Sequence, residues 1–222
     1  MDVACLRVAC SDSQIRSPDQ VASGFSCSRC YFLIRTRAMS IHVRHSFAKA
    51  PSLETARLRL RAHQPGDLSA YVAMWSDPQV VRYTIGEPSP PQRSWMRLLA
   101  HRGHWSVLGF GYWAVEEKQS GCYIGELGFG HFKRGLDPSV DNVPELGWAL
   151  VRSAHGKGYA TEALRAVVAW GEAHFESDRT VCIIDPDNHV SGRVADKLGY
   201  REYTRVSTTE SHSKILRERY RA

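Results

Sequence analysis

The sequence contains no run of about 18 apolar residues, so it offers no membrane-spanning helix. It is poor in cysteine where a folded body would use it. Four of the six (Cys5, Cys10, Cys27 and Cys30) fall within the first 30 residues, and only Cys122 and Cys182 lie beyond. There is no secretory signal, so a disulfide framework is not expected. Cys122 and Cys182 sit in apolar, strand-like runs and read as small buried hydrophobes. No G-x-x-x-x-G-K-S/T string occurs, which excludes a P-loop, and the third glycine of a dinucleotide fingerprint is missing. His101, His104 and His131 are scattered, and none of the ten histidines pairs with another at zinc-helix spacing around a glutamate, so no metal is assigned.

The net charge of +6 invites a nucleic-acid reading, but its distribution opposes it. Residues 1–52 carry seven Lys/Arg against three acids, while the remaining 170 residues carry 22 against 20. A near-neutral body does not advertise a phosphate-binding surface, so neither nucleic acid nor membrane is expected as a partner. With 43% hydrophobic and 23% charged residues the chain has an ordinary soluble composition, and a cytoplasmic protein is the expectation. Its 222 residues suffice for one sizeable α/β core plus an appendage.

The appendage is residues 1–52, which show no sustained helical or alternating pattern. They read as a disordered extension, with Met39 as a candidate natural start. Cys27-Ser28-Arg29-Cys30 is a C-x-x-C, yet Cys5 and Cys10 are spaced too widely for the usual zinc knuckle. Residues 53–222 form the expected domain. Leu58-Arg59-Leu60-Arg61 alternates as a strand, and Asp67 is a candidate N-cap for a helix to about Trp75. A second helix is predicted over Gln92 to His104, followed by strands at Tyr112 to Glu116, Cys122 to Phe132 and Glu145 to Arg152. A long helix from Gly158 to His174 buries Ala160, Ala163, Leu164, Val167, Val168 and Gly171 on one face. A strand at Thr180 to Ile184, a helix ending at Leu198-Gly199 and strands at Arg201 to Val206 and Lys214 to Tyr220 complete the chain. The order β-α-α-β-β-β-α-β-α-β-β predicts an α/β fold on one mixed, mostly antiparallel sheet with helices on both faces.

His155-Gly156-Lys157-Gly158-Tyr159-Ala160 lies between a buried strand and the long amphipathic helix. Glycines there permit close backbone approach, and the helix N-terminus presents unpaired N–H groups with a positive dipole end. Such a loop suits a phosphate or pyrophosphate; on the residues alone a plain strand-to-helix turn is equally open. The segment resembles the coenzyme A motif of the Gcn5-related N-acetyltransferase (GNAT) superfamily, Q/R-x-x-G-x-G/A. Gly158 and Ala160 match its last two fixed positions, and His155 stands where Gln or Arg is usual. The string from Gly156 to Ala163, the opening Leu53 to Arg61, Glu145 to Leu150, and Asn188 to Ser191 with Lys197 to Tyr200 resemble the RimJ/RimL-like branch in the same order.

The resemblance implies an acetyl-CoA-dependent N-acetyltransferase, a monomer or homodimer, whose acceptor is a protein or peptide N-terminus, an amino acid or another small amine. It implies that the amides of His155, Gly156, Lys157, Gly158, Tyr159, Ala160 and Thr161 hold the pyrophosphate. Leu150, Val151 and Arg152 would pair with the pantetheine arm through their backbone. Asn188 maps onto a coenzyme contact, although a helix N-cap is its other reading. The tyrosine that many members use to protonate the leaving thiolate is replaced by Ala195, which leaves Ser191 as the candidate acid. For the base, Glu145 ranks slightly ahead of Glu126; both lie in apolar strands, where desolvation is expected to raise a carboxyl pKa. The departures at His155 and Ala195 keep a second reading open, a coenzyme-binding regulatory domain without turnover. Trp75, Trp95 and Trp105 are candidates for an aromatic acceptor wall, with core packing as the alternative.

Overall fold

The computed structural model describes residues 41–209 and 212–221. The cysteines at 5, 10, 27 and 30 and the candidate start at Met39 lie outside the described residues. Eight strands form one sheet in the order β1-β2-β3-β4-β5-β6-β8-β7. These are β1 (Leu53–Glu54), β2 (Leu58–Arg61), β3 (Tyr112–Glu117), β4 (Tyr123–Gly130), β5 (Glu145–Leu150), β6 (Arg179–Ile184), β7 (Arg201–Thr209) and β8 (His212–Tyr220). Every neighbouring pair is antiparallel except β5 and β6, the two strands joined through a helix. The mixed, mostly antiparallel sheet expected from the sequence is therefore what forms.

Five α-helices join them: α1 (Leu68–Ser76), α2 (Pro78–Val81), α3 (Pro91–Leu108), α4 (Tyr159–His174) and α5 (His189–Lys197). The additions to the sequence reading, β1 and α2, are two and four residues long and too short to show a period. Helix α3 runs past His104 because Trp105 is buried in the core, and it stops at Gly109, whose φ of 76° ends it. Asp67 precedes α1 but does not cap it. Its carboxylate accepts from the Gln64 N–H at 2.7 Å and from both outer nitrogens of Arg61, so a nearby guanidinium outcompetes the helix amides. Cys182 is buried as expected, but Cys122 is exposed. Strand β4 begins one residue later, which leaves Cys122 in the turn, its carbonyl accepting from Glu117 N.

The main core lies where α4 packs on the sheet. Ala163, Leu164, Val167, Val168 and Gly171 face inward at helical spacing, while Ala160 stays half-exposed. An aromatic cluster anchors this core: the Trp113 ring lies 4.6 Å from Trp105 and 5.2 Å from Trp170, and Phe175 meets Phe129 at 5.0 Å. A second core gathers Tyr71, Met74, Trp75, Val80, Val81 and Leu98 from α1, α2 and α3.

Among the described residues, packing is already present at Ile41, twelve residues before the expected boundary at Leu53. Ile41 and Ala50 are buried, Val43 bridges Phe175, and the Phe47 ring lies 5.2 Å from His174. The Trp113 indole N–H donates to the Pro51 carbonyl at 2.7 Å. These contacts are tertiary and leave no periodic trace. A chain beginning at Leu53 is expected to lose roughly 2–5 kcal/mol relative to one beginning at Met39, because the core surface that Ile41 and Phe47 cover becomes exposed. Thermal and denaturant unfolding of the two chains checks this, and equal midpoints would contradict it.

Candidate active site

Strand β5 pairs with β4 along its whole length, from Glu145 opposite Gly130 to Leu150 opposite Gly125. With β6 it shares one position, Glu145 opposite Val181, and the two strands then part. Backbone groups alternate direction along a strand. Val151 N donates to the Ile124 carbonyl at 2.9 Å, which turns the odd-numbered residues toward β4. Leu146, Trp148 and Leu150 therefore direct their N–H and C=O groups toward β6, and beyond the one shared position these face the gap. The Leu150 carbonyl is taken there by His155 Nε2 at 2.9 Å, and Arg152 starts a short 3-10 turn to Ala154. Of the three residues expected to offer free backbone, Val151 and Leu150 are thus partly committed, and Trp148 is the better placed.

The loop leads from that turn into α4. Gly156 and Gly158 have φ of 76° and 79°, in the left-handed region that side chains resist. No atom lies within 4 Å of where a Cβ on Gly156 would stand, so the strain is conformational and the space is open. Gly158 is the N-cap of α4 and no side chain caps the helix, so the first amides of α4 remain available. The loop is tied from the turn between β1 and β2 by residues the sequence reading did not single out. Arg57 donates to the Lys157 carbonyl at 2.9 Å, pairs with Glu162 at 2.7 Å and lies 4.5 Å over the Tyr159 ring. Glu162 also accepts from Thr55 Oγ1 and the Arg57 N–H, and the Tyr159 hydroxyl donates to Glu117. A glutamate in the first turn of a helix was the available signal.

A cleft of about 750 Å³ opens on the other side of β4 and β5. Trp75, Arg97, His101, Glu126, Asn188 and Ser191 are among its walls. Glu126 lies at its base, 2% exposed, at the junction of three elements. Its carboxylate accepts from His63 Nε2 at 3.1 Å and from the Tyr71 hydroxyl at 3.2 Å. His101 Nε2 stands 3.0 Å from the same oxygen as His63, within ion-pair distance but without hydrogen-bond alignment, and its Nδ1 has no partner either. The His101 ring is stacked between His63 at 5.0 Å and Tyr112 at 4.8 Å. Gly147 makes room for that stack: a Cβ there would sit 2.0 Å from the Tyr112 hydroxyl.

The electrostatics differ from the expectation for Glu126. Burial does push its pKa up, but the two imidazoles outweigh it and hold the carboxyl well below the usual range. Burial dominates at His63 and lowers its pKa, so this ring is neutral near pH 7 and donates its Nε2 proton. The Tyr71 hydroxyl is pushed up by burial and by Glu126, and stays protonated. Glu145, the other candidate, is buried beside β6 with both oxygens in a bidentate pair with Arg134 at 2.9 Å. The guanidinium thereby occupies both of its oxygens. Asn188 caps α5, its Oδ1 accepting from Ser191 N at 3.1 Å. Ala195 is fully buried, and Trp105 packs in the core while Trp75 lines the cleft. Among the described residues no group of His, Cys, Asp and Glu is arranged to hold a metal ion, and no helix is long and apolar enough to cross a membrane.

Residues 57–201 match the acetyltransferase (GNAT) domain, and the chain belongs to that family of acyltransferases. It is 30% identical over 151 residues to the uncharacterized protein YkkB of Bacillus subtilis (strain 168), covering 66% of this chain and 83% of that one. A GnaT-family acetyltransferase from Bordetella pertussis superposes with a TM-score of 0.67 at 31% identity, covering 78% of this chain and all of the other. RimL, a ribosomal α-N-protein acetyltransferase solved with coenzyme A, shares the fold at a TM-score of 0.62 and 13% identity, over 77% of this chain and 98% of its own. Acetyl-CoA is the acetyl donor used by this fold.

Groups whose pKa is lower when folded stabilise the protein above their unfolded values, and that stability is lost as the pH falls. His63 and Glu126 both have this sign, against ordinary values of 6.5 and 4.5. Denaturant midpoints of the intact protein are expected to fall as the pH drops below 6.5 through His63 and again below 4.5 through Glu126, and those of Glu126→Gln to fall less below 4.5. Parallel profiles would show that Glu126 is not held ionised.

Proposed function

We propose that the chain transfers acetyl from acetyl-CoA directly to a primary amine bound in the cleft, with His101 and Glu126 as the proton acceptor. The observation that carries this is the stacked His101 ring, its Nδ1 unpartnered and its Nε2 facing a buried carboxylate. An ammonium group cannot attack a thioester until it loses a proton. His101 takes that proton, and Glu126 stabilises the imidazolium that results. His63 and the Tyr71 hydroxyl keep Glu126 ionised and fixed, which is a positioning role. Glu145, engaged by Arg134, positions the β5 end of the cleft rather than accepting a proton.

The residues fit a coenzyme with a pyrophosphate and an extended arm. The amides of Gly156 to Thr161 and the uncapped end of α4 suit the pyrophosphate, with Lys157 adding a charge. The gap-facing backbone of Leu146 and Trp148 suits the amides of the pantetheine arm. Acetyl-CoA, when bound, supplies the activated acyl group and a thiolate leaving group. Asn188 and Ser191 line the same cleft at the start of α5, and Ser191 is the candidate donor of the proton that the thiolate takes.

Two measurements test this reading. Thiol release from acetyl-CoA over an amine panel should show kcat falling about 10²–10⁴-fold in Glu126→Gln and His101→Ala, and less in Glu145→Gln and Ser191→Ala. A larger loss in Glu145→Gln than in Glu126→Gln would reverse the assignment. Equilibrium binding of coenzyme A should weaken more than about tenfold in Gly156→Val or Gly158→Val, because neither position tolerates a β-branched residue at positive φ. His155→Ala, which removes one hydrogen bond to Leu150, should cost less; equal losses would place the binding energy in the side chain.

A further inference from the structure

Four cationic side chains line the cleft, and their pairing is unequal. Arg134 is held by Glu145, Lys214 pairs with Asp185, and Arg93 meets Glu87 at 3.1 Å. Arg97 has no carboxylate or hydrogen-bond partner among the described residues. It lies flat on Trp75, its Cζ 4.1 Å from the ring centroid. That stacking fixes the plane of the guanidinium and leaves its N–H edges for another group. Trp75 is 5% exposed, and its indole Nε1 is a buried donor with no acceptor. A half-buried guanidinium provides donors only, so an anion satisfies it, whereas a second amine or an apolar group does not.

The position of Arg97 gives that anion a place in the reaction. Arg97 and His101 are four residues apart on α3 and therefore on one helical face, separated by about one turn, roughly 6 Å along the axis. An amine and a carboxylate on the same carbon, with a hydrogen bond of about 2.8 Å at each end, span such a distance. We infer that the acceptor is a free amino acid, its amine at His101 and its carboxylate clamped by Arg97 over Trp75. This rests on the cleft being the acceptor site, as proposed above.

The transfer balances without another reactant. The amine nitrogen forms the C–N bond to the acetyl carbonyl carbon, and the C–S bond breaks with its electron pair passing to sulfur. The ammonium gives up two protons: His101 takes the first and passes it to water, and the second ends on the thiolate. Arg97 takes no part in these steps; it is a specificity-determining residue.

The test compares each of the standard L-amino acids with its carboxamide and with its decarboxylated amine, using the full chain and thiol release. A charged, bidentate hydrogen bond predicts that kcat/KM for the preferred acid exceeds that of its amide by about 10- to 100-fold. In Arg97→Gln the acid-over-amide preference should vanish, chiefly through a higher KM for the acid; Arg97→Lys should restore part of it. Unchanged thermal unfolding shows that the variants fold. Equal or better turnover of the amides, which is the behaviour of an enzyme for peptide N-termini, would overturn the inference. So would an acid preference that survives Arg97→Gln. If no amine is turned over, the transfer reading fails on its own account, and calorimetric binding of N-acetyl amino acids against N-acetyl amino acid amides decides the clamp. Tighter binding of the acid that is lost in Arg97→Gln upholds it; equal binding, or none, overturns it.

Discussion

Strands β5 and β6 meet at a single backbone position, and the layout of the cleft follows from why they part. They are the one parallel pair in the sheet, so the chain between them must cross over through α4. The N-terminus of α4 is thereby delivered to the mouth of the gap. On the β5 side, His155 folds back onto the Leu150 carbonyl, which ends the strand and turns the loop toward the helix. On the β6 side, a single turn closed by Asn188 N on the Asp185 carbonyl leads from Ile184 to Asn188, the N-cap of α5, which turns the backbone away again. Sheet edges left unpaired inside a protein must find partners, since a buried, unsatisfied backbone group costs about as much as a lost hydrogen bond. A gap of this kind is therefore either filled by a ligand that pairs like a strand or wetted. The family's donor has such an arm.

The charges around the cleft obey a similar constraint. A carboxylate as buried as Glu126 costs several kcal/mol unless donors surround it. Here the donors are His63 after β2 and Tyr71 on α1, with His101 on α3 at ion-pair distance, while Glu126 itself is on β4. One carboxylate thus fixes how the α1–α3 layer sits on the sheet. The arrangement also separates the two acidic candidates by chemistry. Glu126 is ringed by groups that donate a proton or accept one, whereas Glu145 faces a guanidinium that can do neither near neutral pH. The difference lies in their neighbours and not in their burial, which is similar.

This explains which parts of the site could be read in the sequence. Helix α4 and its loop are local: the apolar spacing from Ala163 to Gly171 and the glycines at 156 and 158 lie within one short stretch, and both took the form expected. The acid-base cluster is non-local. His63, Tyr71, His101 and Glu126 span more than 60 residues and are brought together only by antiparallel pairing and the packing of α3, so His101 reads in isolation as one more scattered histidine. The sign of the Glu126 shift was hidden for the same reason, because burial is visible in an apolar strand and the compensating imidazoles are not. Arg134 lies in a loop with no period at all, and nothing near it in sequence announces Glu145 as its partner. Residues 41–52 were silent because they pack through single side chains, with Phe47 wedged against Trp170 and His174.

The substitution at His155 then takes on a different meaning. A Gln or Arg at the first position of the motif carries a long side chain with several donors. An imidazole is shorter and offers at most one donor once its other nitrogen is committed. In this chain that donor goes to Leu150, inside the protein. Meanwhile Arg57, from the turn between β1 and β2, supplies a guanidinium that reaches the loop at the Lys157 carbonyl and braces Glu162 and Tyr159. The anchoring of the loop has thus moved from its own first residue to a neighbouring strand. A loop braced from outside can keep its two strained glycines in place without a side chain reaching across it. Departure from the usual residue at position 155 is for that reason compatible with an intact cradle, and by itself it does not favour a coenzyme-binding domain without turnover.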